Sequence, residues 1–474
     1  MEITSLLIIL ALCFGFYMAW NIGANDVANA VGTSVGSGAL RLKQAVVLAA
    51  IFEFCGAFFF GGNVMETLQK GIIAPSAFPA DPTLFVLGML AALFATGIWL
   101  QVASAFGWPV STTHAIVGAI LGFGIAAGKW HLIDWGHVAF IASSWIVSPV
   151  LSGIIAYFTF GFVQKTVLFA ARPSRAAKRI VPWFVAVVLF ILSLAILSTG
   201  LKHIIRLSFY ELAFLAALVG ILGASIVNHL IKYKFKPSEA GFETPIKRTP
   251  EHLIALNKSI KHLQRVSLSS GGPFKERVRE ALDKTRALCK EAQKDLSLEK
   301  TTSQYTGVEK IFALLQVLSA ALIAFSHGAN DVANAVGPLA AIFSILNQGT
   351  AHVFGSANWH ILGFGGLGIV VGLSMWGWRV IDTIGKKITA LTPTRGFCAE
   401  FAAAATILLA SKLGLPVSTT HSLVGALLGV GFARGLSAIN LKTVRDIVLS
   451  WIITIPLSAL LSMLIYFSLK ALFI

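Results

Sequence analysis

GANDVANAVG stands at residues 23–32 and returns, letter for letter, at 328–337. PVSTTH at 109–114 likewise returns at 416–421. The two offsets are 305 and 307 residues, and the surroundings agree: GWPVSTTHAIVGAILGFG (107–124) lines up with GLPVSTTHSLVGALLGVG (414–431). Trp145 and Trp451 follow the second motif at a similar distance. Two motifs in one order at nearly one offset mark an internal duplication.

Both motifs sit in apolar sequence. Of 474 residues, 56% are hydrophobic and 12% charged, against about 25% charged in a soluble domain. Apolar segments fall near 3–33, 42–62, 83–106, 109–128, 137–162, 180–200, 207–231, 308–346, 360–381, 396–413, 416–434 and 446–472. Runs of about 20 residues cross a ~30 Å hydrocarbon core as helices. The expected fold is therefore an all-α membrane protein of about 12 transmembrane helices. The first apolar run lacks a positive leader and is read as a retained span. Residues 1–163 form the first repeat, 164–231 a basic loop with two further spans, and 306–474 the second repeat. In the polar stretch 232–305, Leu253, Leu256, Ile260 and Leu263 recur at helical spacing, as do Val278, Leu282 and Leu288. That pattern predicts two amphipathic helices packed on each other at the membrane face.

The net charge of +16 comes from Lys and Arg gathered in loops, chiefly at 164–179 and 232–300. Such clusters mark the cytoplasmic face, so nucleic acid is not an expected partner. Cys13, Cys55, Cys289 and Cys398 form no CxxC or Cys/His cluster, which argues against disulfide and zinc roles. With 232–305 cytoplasmic, counting spans places both termini extracytoplasmic. Arg41, Lys43, Lys386, Lys387, Arg395, Arg434, Lys442 and Arg445 then fall inside, and the uncharged 347–351 outside. The repeat of the first motif lies on the seventh span after the first, an odd step, so the halves are expected to have inverted topology. Arg41 and Lys43 face Leu346 and Gln348 at the corresponding positions, as opposite orientation requires. Inverted repeats are the signature of many secondary transporters, with the site where the repeats meet near the midplane.

An acidic residue at the bilayer centre costs about 2.5–3.5 kcal/mol, so it faces a cavity or a partner. In GANDVANAVG, Gly23 and Gly32 are expected to weaken the helix, while Asn25, Asp26 and Asn29 share one face. Their oxygens, with backbone carbonyls freed at a break, make a hard site suited to Na⁺ or a proton-linked water. The same holds for Asn330, Asp331 and Asn334. The competing reading is that these side chains only hold helices together. It loses weight because the motif occurs twice in an inverted repeat.

Proline suits a first helical turn, so Pro109 and Pro416 are expected to start short helices. Ser111, Thr112 and Thr113, and Ser418, Thr419 and Thr420, would then lie where free N–H groups form an anion site. Two facing sets would cradle a tetrahedral oxyanion. The alternative is hydroxyls bonded back to carbonyls one turn away. His114 and His421 close the motifs and are assigned to packing around the site. Glu53 lies mid-span, Glu400 lies near a span end within reach of the interface, and Gln101 is placed to bridge helices. None of the three has a polar counterpart in the other half.

The doubled GANDVANA and PVSTTH motifs with a polar central loop resemble the inorganic phosphate transporter (PiT) family, over roughly 15–160 and 305–470. The resemblance implies an inverted-repeat symporter of the plasma (inner) membrane, often a homodimer, importing phosphate with Na⁺ or H⁺ and needing no cofactor. By position it implies cations at Asp26, Asn29, Asp331 and Asn334, and phosphate at 111–113 and 418–420. Glu53 and Glu400 match acidic positions regarded as transport-critical in that family. A sulfate or other oxyanion symporter and a cation exchanger are the alternatives. An intramembrane hydrolase using Ser111, His114 and Asp26 would have no need of two inverted centres.

Overall fold

A computed structural model describes residues 3–70, 72–73, 75–78, 81–200, 207–234, 250–298, 303–346, 359–377, 391–435 and 441–474. Lys386, Lys387, Gln348 and the stretch 347–351 lie outside these residues, as do the side chains of Leu253 and Lys442. The described α-helices are α1 (Ile3–Gly36), α2 (Leu42–Phe60), α3 (Gly62–Lys70), α4 (Pro82–Ala105), α5 (Thr112–Ala126), α6 (Trp135–Val163), α7 (Pro173–Ala195), α8 (Phe209–Lys234), α9 (Pro250–Ser269), α10 (Gly272–Leu298), α11 (Ser303–Leu346), α12 (Trp359–Trp376), α13 (Pro393–Lys412), α14 (Thr419–Arg434) and α15 (Leu441–Phe473). Each of the twelve apolar segments contains a helix among its described residues. Among the described residues, nine are long and apolar enough to cross a membrane: α1, α2, α4, α6, α7, α8, α11, α12 and α15. The chain is an integral membrane protein. Segments 109–128, 396–413 and 416–434 became α5, α13 and α14, which are shorter or less apolar than a full span requires.

The GANDVANAVG helices differ from expectation in one respect. α1 runs unbroken through residues 23–32, and α11, 44 residues long, runs unbroken through 328–337. A break inside hydrocarbon would orphan backbone groups that a continuous helix satisfies by itself. The glycines serve contact instead. A Cβ on Gly23 would lie 2.0 Å from the carbonyl oxygen of Ile369 in α12, and one on Gly372 would lie 1.8 Å from that of Trp20 in α1. The second motif repeats the crossing. A Cβ on Gly328 would lie 2.0 Å from the carbonyl oxygen of Glu53 in α2, and one on Gly56 would lie 1.9 Å from that of Phe325 in α11.

The short helices follow the same rule. In α5, Gly118 and Gly122 press on the Ile455 and Ala459 carbonyls of α15. In α14, Gly425 and Gly429 press on the Pro149 and Gly153 carbonyls of α6. This G-x-x-x-G spacing lets helix backbones approach closely inside a membrane. Each of these four pairs joins one helix from 1–163 to one from 306–474, so the two sequence halves are interlaced.

The polar stretch forms the expected hairpin. Val278, Leu282 and Cys289 are buried where α9 and α10 pack together, whereas Leu288 is exposed. Lys258 Nζ donates to the Ala433 carbonyl at 3.1 Å, which ties α9 to the end of α14.

Replacing Gly328 with Val should cost more than about 3 kcal/mol of stability, because the added carbons meet backbone rather than a movable side chain. Gly161→Ala, where a Cβ meets nothing within 4 Å, should be neutral or stabilising by about 0.5–1 kcal/mol. Thermal unfolding in detergent separates the two.

Candidate functional site

The two PVSTTH motifs fold alike. Ser111 and Ser418 are extended N-caps whose side-chain oxygens accept from the amides of His114 and His421, both at 3.2 Å. Pro109 and Pro416 therefore lie two residues before the cap, in the approach to the helix, where a fixed φ stiffens the entering strand of backbone. The first backbone bonds of these helices are Ala115 N to Ser111 O and Ser422 N to Ser418 O. That leaves the amides of Thr112, Thr113, Thr419 and Thr420 without an intrahelical acceptor.

The approach to each cap is clamped by an asparagine of the first motif. Asn25 Nδ2 donates to Ser104 Oγ at 2.9 Å and to the Trp108 carbonyl at 3.2 Å. Asn330 Nδ2 donates to Ser411 Oγ at 2.9 Å and to the Leu415 carbonyl at 3.0 Å, and its Oδ1 accepts from Val417 N at 3.2 Å. These two amides thus point to the loops, apart from Asp26, Asn29, Asp331 and Asn334.

Those four meet the threonines, Asp26, Asn29 and Asn334 those of the other half and Asp331 one of its own. Asn29 Nδ2 donates to Asp26 Oδ1 at 2.7 Å and to Thr420 Oγ1 at 2.8 Å. Asn334 Nδ2 donates to Thr112 Oγ1 and Thr113 Oγ1, both at 3.2 Å, and reaches Asp331 Oδ1 at 3.4 Å. Thr419 Oγ1 donates to Asp331 Oδ2 at 2.7 Å. Thr113 Oγ1 donates to the Val417 carbonyl at 3.0 Å, and Thr420 Oγ1 to the Val110 carbonyl at 3.3 Å. The alternative, back-bonding one turn away, is not what the hydroxyls of Thr113, Thr419 and Thr420 do. Every one of these side chains is at most 3% exposed, so the cluster is closed to both faces. Asp26 Oδ2, Asn29 Oδ1 and Asn334 Oδ1 are buried without a hydrogen-bond partner, and buried oxygens of that kind ordinarily find one.

At the centre lies a residue that motif reading passed over. His327 Nε2 is 2.9 Å from Asp331 Oδ2 and 3.8 Å from Asp26 Oδ2, and Nδ1 is 3.3 Å from Glu53 Oε1. Single ligand atoms of Asp26, His327 and Asp331 all lie within 4.8 Å of one another. His327 directly precedes the second GANDVANAVG, whereas Ile22 precedes the first. That one-letter difference was the available signal.

Glu400 is fully buried, not at the interface. Thr33 Oγ1, Ser34 Oγ and Gln316 Nε2 donate to its Oε1 at 2.5, 2.6 and 3.0 Å, and Ser319 Oγ donates to Oε2 at 2.5 Å. Gln101 accepts from the Tyr17 hydroxyl, bridging α4 to α1. His114 and His421 pack edge to face at 4.5 Å, and His421 stacks on Trp451 at 3.5 Å. Pro149 has no N–H, which frees the carbonyl of Trp145 one turn back. His421 Nδ1 sits 3.3 Å from that oxygen.

A bundle of membrane-length helices, with repeated polar motifs from both halves meeting in its interior, defines a membrane transport protein. The model of the Phosphate transporter family matches residues 22–462. Over 465 residues the chain is 44% identical to Inorganic phosphate transporter 2-1, chloroplastic, of Arabidopsis thaliana, covering 97% of this chain and 72% of that protein. It is also similar to a solved structure, "The sodium-dependent phosphate transporter", with a TM-score of 0.77 and 34% identity over 98% of this chain and 99% of that one. The chain belongs to the phosphate transporter family.

Removing one member of a buried charge cluster leaves the others uncompensated, typically at about 3–5 kcal/mol. His327→Leu should cost that much thermal stability in detergent, and Glu53→Gln in the same chain should restore about 1–3 kcal/mol of it. Additive losses in the double variant would show that the two groups do not interact.

Proposed function

We propose that this protein imports inorganic phosphate by symport with a cation, Na⁺ by preference, through alternating access between inverted repeats. The observation that carries the reading is the exchange of partners between halves, Asn29 with Thr420 and Asn334 with Thr112 and Thr113. It sets cation-type oxygens beside two helix N-termini. Cations would bind the unpartnered oxygens of Asp26, Asn29 and Asn334, together with Asp331. Hard oxygen ligands of this kind suit Na⁺, and the similar solved structure is named for sodium dependence. Asn25 and Asn330 would support that site by fixing the loops.

Phosphate would take the free amides of Thr112, Thr113, Thr419 and Thr420, together with the hydroxyls. Ser111 and Ser418 would hold those helix starts as caps. Neither PVSTTH motif contains Lys or Arg, so bound cations supply the counter-charge. Two cations also offset the electrical work of moving HPO₄²⁻ inward, about 2.3 kcal/mol per charge per 100 mV. Coupling would arise at Thr419. Its single hydrogen is given to Asp331, and a cation taking that carboxylate frees the hydroxyl for phosphate.

Interlacing restricts the motion that alternating access can use. Rocking 1–163 against 306–474 would tear four close helix crossings. The groups able to shear are instead α1, α2, α11 and α12 on one side, with α4–α6 and α13–α15 on the other. In this reading the protein sits in the plasma (inner) membrane as a homodimer, with both termini extracytoplasmic and 232–305 cytoplasmic. One observation favours H⁺ as the second coupling ion, namely His327 set between Asp331 and Glu53.

Phosphate uptake into proteoliposomes should follow an imposed Na⁺ gradient at constant pH, and Asp26→Asn or Asp331→Asn should reduce it at least about 100-fold. Uptake driven by a pH gradient alone would assign H⁺ instead. Sulfate uptake in place of phosphate, cation flux without any anion, or full activity in both variants would contradict the scheme.

A further inference from the structure

Outside the buried cluster, a cleft of about 540 Å³ opens over the approach to the second PVSTTH motif. Its walls are Asn63, Glu66 and Thr67 of α3, His137 of α6, and the turn Lys412–Gly414. α3 is bonded to that turn. Asn63 Nδ2 donates to the Lys412 carbonyl at 3.3 Å, and Thr67 Oγ1 donates to the Gly414 carbonyl at 2.6 Å. Gly414 has φ +72°, where a side chain is strained. A Cβ there would also crowd Thr67 Oγ1 at 3.2 Å. The next residues are fixed as well. The Leu415 carbonyl is held by Asn330, and the Pro416 carbonyl accepts from Trp145 Nε1 at 3.2 Å. The floor of the cleft thus runs within a few residues to Ser418 and the helix start beyond it.

Two observations point to an anionic occupant. His137 Nε2 is buried in the wall and has no hydrogen-bond partner, and the exposed Lys412 puts a positive charge on the rim. The duplication supplies an internal control. Ser411 corresponds to Ser104, each bonded by its asparagine, so Lys412 corresponds to Ala105. At that other approach the rim is aromatic, with Phe106 and Trp108 exposed and stacked at 5.1 Å. At the matched position one approach carries Lys412 and the other Ala105.

We propose that this cleft is a peripheral capture site for the oxyanion. Lys412 is its charged donor, and His137, Asn63 and Thr67 line its wall. It lies on the face from which phosphate enters, ahead of the buried site. This inference rests on the import reading above and on the outward placement of the Lys412–Gly414 turn. The Lys412 ammonium raises the local concentration of an anion and speeds its arrival, in a manner that salt screens. Glu66 on the same rim opposes the anion. The two charges should therefore act with opposite sign.

The test is the initial rate of phosphate uptake by the full chain in right-side-out vesicles. Lys412→Gln should raise the KM for external phosphate about three- to tenfold with unchanged Vmax, and the rise should shrink at ~0.5 M inert salt. Lys412→Arg should behave as wild type, and Glu66→Gln should lower KM about twofold. An unchanged KM in Lys412→Gln, or shifts of the same sign at both positions, would overturn the proposal while wild-type uptake persists. An effect confined to vesicles containing anionic phospholipid would also overturn it, by assigning the cleft to a lipid headgroup. Loss of phosphate uptake from wild type would instead sink the import reading itself.

Discussion

The Thr419 hydroxyl has one hydrogen, and Asp331 takes it at 2.7 Å. Around that bond the cluster is short of hydrogen-bond donors rather than of oxygens. Asp26, Asn29 and Asn334 each keep a buried oxygen unpartnered, while the threonine hydroxyls have already spent their hydrogens on a carboxylate or on backbone carbonyls. In the proposed symport, a cation would satisfy the first group and release donors in the second, and an anion would then find hydroxyls and helix-start amides together, with positive charge close by. On this account the coupling of two ions is a contest for hydrogen-bond donors, and no separate relay is needed.

Such a contest requires the two motifs to be held within hydrogen-bonding distance, and glycine provides the means. Gly23, Gly56, Gly328 and Gly372 bring α1 onto α12 and α11 onto α2 with backbone in contact. Gly118, Gly122, Gly425 and Gly429 do the same for the two short helices. Every crossing joins the two sequence halves, so each half completes the site of the other. The resulting packing leaves the central side chains at most 3% exposed. In the proposed mechanism, access to them would come from shear between groups of helices, at the loops that Asn25 and Asn330 pin in place.

Much of this was legible in the letters. The duplication, the twelve apolar segments, the packed pair of helices in the polar stretch and the meeting of GANDVANA with PVSTTH all follow from spacing and composition. What spacing could not reveal was the use of each polar group. Gly23 and Gly32 looked like helix breakers because propensity is local, yet Gly23 lies under a carbonyl of another helix that only the tertiary structure supplies. Asn25 and Asn29 look equivalent in the motif, but their side chains leave the helix in different directions, one to a loop and one to a threonine. Glu400 looked close to the interface because Thr33, Ser34, Gln316 and Ser319 lie far from it in sequence. His327 was visible only as a break in the repeat against Ile22. Asymmetry between otherwise matched halves was the more informative signal, both there and at Lys412 against Ala105.

Calorimetric titration of the purified protein tests the shared-donor account most directly, with phosphate titrated at several Na⁺ concentrations and Na⁺ at several phosphate concentrations. If one cluster serves both ions, each must tighten the other by the same factor, and a factor of about ten or more is expected from released donors and added charge together. Phosphate affinity that stays constant across Na⁺ concentration and pH would contradict it.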